Sequence, residues 1–307
     1  QQFVAHGVLL RGDPIQIHVV VMRHTKAAGN LSLIVGLRPL MRFLLAVLLL
    51  TATSVAPASD QALAERSTLN QILKRGELRV GVEAGYMPFE MRDRKGDLIG
   101  FDVDLARLMA RQMGVKLTLV NTQWDGIIAA LLTDKFDLLM GGMTITAERN
   151  LKVNFADPYI LIGQTVILNK KLAAAVTSYR DLNTPKYTVA TKLGTTGDIA
   201  ARKYIPLAKL KAYESESDAA TEVRQGRADA FVYDLPFNAV YVAQNPDNLT
   251  HLKEPFTQEA LGWAVRKGDP DFLNWLNHFL AQTKRDGIYD ALYKKWFEGT
   301  AWLKNLQ

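Results

Sequence analysis

Cysteine is absent from the chain. Its absence removes disulfides, thiolate catalysis and cysteine-ligated metal together. Histidine is scarce as well. Of five, His6, His18 and His24 lie near the start, which leaves His251 and His278, neither with a second histidine at ligand spacing. A histidine metal site or a Ser–His–Asp triad therefore has almost no material, and His278 reads as the flank of a packed helix. A Walker ending is missing too: Gly194 is followed by Thr195-Thr196-Gly197 and not by Lys-Ser/Thr, so nucleotide binding is unsupported. The basic excess is +6 over the whole chain, with a pI near 9.3. Residues 1–58 hold Arg11, Arg23, Lys26, Arg38 and Arg42 against Asp13, and without them 32 basic residues face 30 acidic ones. A nearly balanced body excludes nucleic acid as a natural partner.

The leading segment has its own pattern. Met41-Arg42, the apolar run Phe43 to Leu50 and the small residues ending in Ala56-Pro57-Ala58 have the form of a cleavable signal peptide over 41–58. The run is too short to span a bilayer as a helix. Residues 1–40 have no starting methionine and read as an upstream segment, with Met41 the expected start. No cysteine follows the signal to carry a lipid. The expected product is an exported, unlipidated protein retained in a Gram-negative periplasm.

What remains is a chain of 307 residues, 48% of them hydrophobic, ample for two lobes with separate cores. After a leader and short helix (59–76), Leu78 to Val82 reads as a strand. It empties into a Gly- and Pro-containing turn that carries Glu83 and Tyr86. The stretch from Gly100 to Arg149 organises the rest. Val103, Leu105, Leu108, Met109 and Met113 recur at helical spacing, with Asp102 and Asp104 near the helix start, where negative charge suits the dipole. A strand at Lys116 to Val120, a helix at Gly126 to Leu132 and a short buried strand at Asp137 to Met140 follow. That last strand exits into Gly141-Gly142-Met143-Thr144-Ile145-Thr146, where two glycines permit close backbone approach.

Arg149 then falls in the first turn of a helix capped by Thr146. The dipole disfavours a cation there, so Arg149 is either a solvated surface residue or part of an anion-receiving corner. A second strand, turn and helix start follow at Tyr187 to Ala190, Thr191 to Gly197 and Asp198, and they place Lys192, Thr195 and Thr196 at a similar corner. Asp234 closes a third buried strand just before Leu235-Pro236; it can cap the next helix or face a cleft. Alternating strands and helices imply an α/β fold of two lobes, each a mostly parallel sheet flanked by helices, with ligands beyond the carboxyl ends of the strands. Ile160 to Leu168 and Thr257 to Val265 read as two crossings. They divide the chain into lobe one (77–162 and 261–307) and lobe two (163–260).

At this point the residues resemble a known family, the periplasmic solute-binding proteins of polar amino-acid ABC importers, of the bilobed type II fold. The resemblance covers about Leu78 to Phe297. It rests on Gly100-Phe101-Asp102-Val103-Asp104-Leu105, on Gly142-Met143-Thr144-Ile145-Thr146-Ala147-Glu148-Arg149, on Asp234 after its strand, and on Tyr293-Lys294-Lys295-Trp296-Phe297. It implies that Arg149 clamps a ligand α-carboxylate, helped by Gly142, Thr144 and Thr195-Thr196. Asp234 would take the α-ammonium, and Tyr86 and Trp124 would sandwich the side chain. Glu83 matches a position where relatives taking lysine or arginine carry an acid, which points to a basic amino acid. Lys192 points the other way, toward an acidic or amide side chain, unless it pairs with Glu83. The two aromatics could also be ordinary core residues.

The implied protein is a monomer without cofactor or metal that closes on a free amino acid and delivers it to ABC permease subunits in the inner membrane. A binder of glutamine or glutamate is one alternative. A cyclohexadienyl (arogenate or prephenate) dehydratase on the same scaffold, with Glu83 as the acid, is another. A receptor's sensing domain is a third, which the absence of a spanning helix after Phe297 disfavours.

Overall fold

The computed structural model describes residues 65–306. The expected upstream segment 1–40, the signal 41–58 and the beginning of the leader lie outside the described residues. Helix α1 (Thr68–Arg75) leads into β1 (Glu77–Val82), the short hairpin β2 (Met91–Arg92) and β3 (Leu98–Ile99), helix α2 (Phe101–Met113) and β4 (Lys116–Asn121). Helix α3 (Ile127–Leu132), β5 (Leu138–Leu139), the single turn α4 (Ala147–Asn150) and β6 (Asn154–Phe155) follow. Strands β7 (Ile160–Ile162) and β8 (Gln164–Asn169) carry the chain onward. Next come β9 (Thr188–Lys192), α5 (Thr196–Tyr204), β10 (Lys209–Tyr213), α6 (Glu216–Arg224), β11 (Ala230–Asp234), α7 (Leu235–Gln244) and β12 (Leu249–His251). The return runs through β13 (Glu259–Leu261) and β14 (Ala264–Val265) to helices α8 (Pro270–Arg285) and α9 (Ile288–Tyr293).

Two five-stranded sheets result, in the orders β4-β1-β5-β14-β6 and β10-β9-β11-β8-β12. Each has a parallel core of three strands, β4-β1-β5 and β10-β9-β11, finished by antiparallel strands. The sheets are mostly parallel, as expected, and one strand in each, β14 and β8, runs against its neighbours. The reason is where the chain enters. A segment arriving from the other lobe starts at the cleft end, where the parallel strands finish, and must run against them. Gln164 at the start of β8 thus pairs opposite Asp234 at the end of β11.

The crossings pair with each other, β7 antiparallel to β13 with Ile162 opposite Glu259. The expected single strand from Ile160 to Leu168 breaks at Gly163, which lies so close to the return crossing that a β-carbon there would collide with the Thr257 carbonyl. Strand β11 is buried at all five positions, as suits a strand covered on both faces.

The motif near the end of the chain has a packing role. The Trp296 indole donates to Asp104 at 2.9 Å, and Phe297 packs edge-on against Phe89 and Phe101. Asp104 thus holds the carboxyl-terminal segment and does more than complement the helix dipole. Asp102 departs further from expectation. It is fully buried and accepts the Tyr159 hydroxyl at 2.9 Å. Among the described residues no helix is long and apolar enough to cross a membrane, and no cluster of three His, Asp or Glu side chains could hold a metal.

Candidate functional site

The carboxyl ends of β1 and β5 in one lobe face those of β9 and β11 in the other, and the expected site residues gather between them. Asp234 occupies the N-cap position of α7, but its side chain makes no capping bond. It accepts instead from the Tyr86 hydroxyl across the cleft and from the Gln164 amide. Burial, reinforced by Glu259, pushes the Asp234 carboxyl up to about 7.

Tyr86 is fixed by packing. Its ring stacks on Phe89 at 4.6 Å and lies where a β-carbon on Gly142 would stand. Gly142 has φ 62°, in the left-handed region, so glycine is required there twice over. Below this loop lies Glu90, fully buried, with neither oxygen hydrogen-bonded among the described residues. Burial first, then the field of Asp102, lifts its pKa well above the usual carboxylate range. Asp102 itself is pushed up to about 7 by burial, with the Tyr159 hydroxyl and the Gly142 N–H pulling the other way.

Arg149 donates to the Thr144 carbonyl at 2.9 Å and to the Gly194 carbonyl of the opposite lobe at 3.3 Å. Its guanidinium sits 5.4 Å from the Trp124 ring centroid, within cation–π range. Its nearest acids, Glu259, Asp234 and Glu148, act on it only through space, and burial pulls its pKa below the ordinary arginine value. The helix carrying it is one turn of four residues, too short for the dipole argument to matter. Thr146 does cap that turn, accepting the Arg149 N–H at 3.1 Å.

Lys192 is the last residue of β9 and not a turn residue, and that shift puts it fully inside. Its ammonium bonds Glu83 of the opposite lobe and lies 2.6 Å from Glu216. Burial alone would lower its pKa, but the two carboxylates, Glu216 first, raise it overall, so Lys192 is charged. It pairs with Glu83, one of the two roles its position allowed. Trp124 ties this corner together: its backbone N–H donates to Glu83 at 3.2 Å, and its indole donates to the Gly194 carbonyl at 3.1 Å.

The threonines form a hydroxyl row. Thr144 and Thr196 lie 3.2 Å apart across the cleft, and both donate to Glu259, at 2.9 and 2.7 Å. The Thr257 hydroxyl donates to the other Glu259 oxygen at 2.9 Å. Thr195 caps α5 and donates to the Lys192 carbonyl at 2.7 Å.

Glu83, Tyr86, Trp124, Gly142, Thr144, Thr195, Thr196 and Asp234 line one cavity together with Gly141 and Tyr233. With the lobes shut the cavity is about 10 Å³, room for about one water. Arg149 and Met143 are not in its wall. They line an adjoining groove beyond Trp124 and Gly194, and the Met143 side chain belongs to the apolar cluster of Ile127, Leu131 and Val153.

Sequence reasoning misses Gln164, Glu216, Tyr233 and Glu259. A lone glutamine opening an apolar run and a lone acid in the return crossing are the signals that could have marked Gln164 and Glu259. Glu216 reads as an ordinary first-turn acid, and Tyr233 as strand core.

Such a cleft offers fixed opposite charges, hydroxyls and aromatic faces to a small polar molecule. Residues 78–299 match the family described as bacterial extracellular solute-binding proteins, family 3. A crystal structure from Wolinella succinogenes DSM 1740, a binding component of an ABC transporter complexed with lysine, is 57% identical with a TM-score of 0.73. It covers 75% of this chain and 99% of that one. The ancestral amino acid-binding protein AncCDT-1, a precursor of cyclohexadienyl dehydratase, is 51% identical with a TM-score of 0.72, covering 75% and 100%. The L-cystine-binding protein TcyJ of Escherichia coli (strain K12) is 32% identical over 243 residues, 79% of this chain and 91% of that protein. This chain belongs to the bacterial extracellular solute-binding proteins, family 3.

Proposed function

We propose that the protein binds one free amino acid with a cationic side chain, lysine or arginine, by closing its two lobes, and hands it to an ABC permease in the inner membrane. The carrying observation is the pair of opposed charges at one cleft: Asp234 in the cavity wall, and Arg149 beside it within the field of Asp234. A zwitterion entering the cleft loses its water, so each charge needs a fixed partner. Charge-assisted bonds contribute about 1.5–3 kcal/mol each. A buried charge left alone costs about 3–5 kcal/mol.

In this reading the lobes, 77–162 with 261–307 and 163–260, swing about the β7–β13 pair. Opening breaks the bonds from Trp124 and Arg149 to Gly194 and frees the Arg149 fork for a carboxylate. The ligand ammonium takes Asp234 in place of Tyr86, with Thr144 and the Gly142 carbonyl alongside. Thr195 and Thr196 assist the carboxylate, Tyr86 and Trp124 flank the side chain, and Glu83 receives its charge. Met143 contributes backbone only. The preference for a cation is supported by charge: Arg149 and Lys192 face Glu83, Glu216, Asp234 and Glu259. The lysine complex of the Wolinella structure supports it too, whereas TcyJ, named for cystine, keeps neutral ligands in the comparison. We also propose a periplasmic monomer.

Titration calorimetry against lysine, arginine, histidine, ornithine, cystine, glutamine and glutamate tests the reading. Micromolar or tighter binding of lysine or arginine is expected. Dehydratase activity on prephenate or arogenate is not expected: burial raises the Glu83 pKa, but its carboxylate is already engaged by the Lys192 ammonium and the Trp124 N–H, and is not presented to a substrate as a free acid.

A further inference from the structure

Glu216 begins helix α6, where a first-turn acid ordinarily does no more than complement the dipole. Here it is only 3% exposed, and its carboxylate leaves the helix for the Lys192 ammonium at 2.6 Å. Its other oxygen stands where a β-carbon on Gly85 would be. Gly85 belongs to the opposite lobe, so Glu216 spans the cleft through a gap that only glycine leaves. The cluster is thus one lysine between two acids. Glu83 and Lys192 alone sum to zero; Glu216 makes the sum −1.

That charge is felt at the cavity. Tyr233 lines it, and of the acids raising its hydroxyl pKa, after burial, Glu216 comes before Asp234 and Glu83. Glu216 touches no cavity wall itself and acts through Lys192.

We propose that Glu216 is the positioning residue that sets the site's preference for a cationic side chain: by engaging Lys192 from behind, it leaves Glu83 with charge that a ligand's guanidinium or ammonium completes. The proposal rests on the amino-acid-binding reading above and names what fixes the sign of its side-chain end.

Arginine and its neutral isostere citrulline separate the two questions by calorimetry. The unmodified protein should favour arginine by about tenfold or more, the value of one charge-assisted bond. Glu216→Gln should bring the two ligands within about threefold of each other, a gap under 1 kcal/mol, chiefly through loss of arginine affinity. Glu216→Asp, which keeps the charge, should retain the preference. If Glu216→Gln melts below the assay temperature, Gly85→Ala displaces the same carboxylate from Lys192, and its ratio should fall likewise. An unchanged ratio in the variant read, or equal loss of both ligands, overturns the role of Glu216. Absence of arginine binding by the unmodified protein overturns the binding assignment instead.

Discussion

Tyr86 donates its hydroxyl across the cleft to Asp234, so the shut lobes already satisfy the carboxylate assigned to a ligand ammonium. The ligand must displace a hydrogen bond in order to bind. This exchange, a neutral donor for a cation, is where pH enters.

Asp234 holds its proton up to about pH 7 because burial, and then Glu259, oppose its charge. A ligand ammonium needs the ionised form, so binding below that pH releases a proton. Affinity for lysine should rise by up to tenfold per pH unit from about 5 to 7 and level off above. Glu259→Gln removes a field that raises the Asp234 pKa and should move the inflection down. Tyr86→Phe removes a bond that lowers it and should move it up. Calorimetry across pH reads both.

Arg149 and Glu83 should separate by ligand. Arg149→Ala should weaken every amino acid alike, by about 3–5 kcal/mol, since each carboxylate would be buried unpaired. Glu83→Gln should weaken lysine and arginine while leaving glutamine near its original affinity. Equal losses in the second variant would contradict the role given to Glu83.

Asp102 governs a different pH dependence, that of stability. Its pKa rises from 3.8 to about 7 on folding, so between these values the native state binds more protons than the unfolded chain. The contribution of Asp102 to stability should therefore be greatest below about pH 4, fall as pH rises to 7 and stay level beyond. Glu90 and Asp234 shift in the same direction. Asp102→Asn should flatten part of this slope in melting curves recorded from pH 4 to 8.

Gly142→Ala places a β-carbon against the Tyr86 ring at a left-handed φ. The strain should cost about 1–3 kcal/mol and displace Tyr86, so binding should fall together with melting temperature. Loss of melting temperature with full binding would show that Tyr86 need not be held there.

How far the sequence carries differs between scaffold and site. Strand and helix alternation and the turns after Val82, Met140 and Ala190 are local patterns in the sequence, and the two lobes follow from them. The antiparallel strands β8 and β14 are not legible, because their direction comes from where the chain re-enters each lobe. Glu83, Thr144, Arg149 and Asp234 stand out as polar groups at strand ends. Glu216 and Glu259 do not: the first becomes a cleft residue only because Gly85 leaves room opposite, the second only because two crossings pair. Asp102 reads as a dipole residue because local reasoning cannot see Tyr159 arriving from 57 positions away. Lys192 turns on one strand boundary, and two residues of extra strand convert it from a turn residue at a corner into a buried strand-end cation.

The most direct measurement is calorimetric titration of the purified, ligand-stripped protein with lysine and arginine beside glutamine and cystine. The account predicts one cationic amino acid bound per chain at micromolar affinity or better, ahead of the neutral ones. No binding by any of them would contradict it.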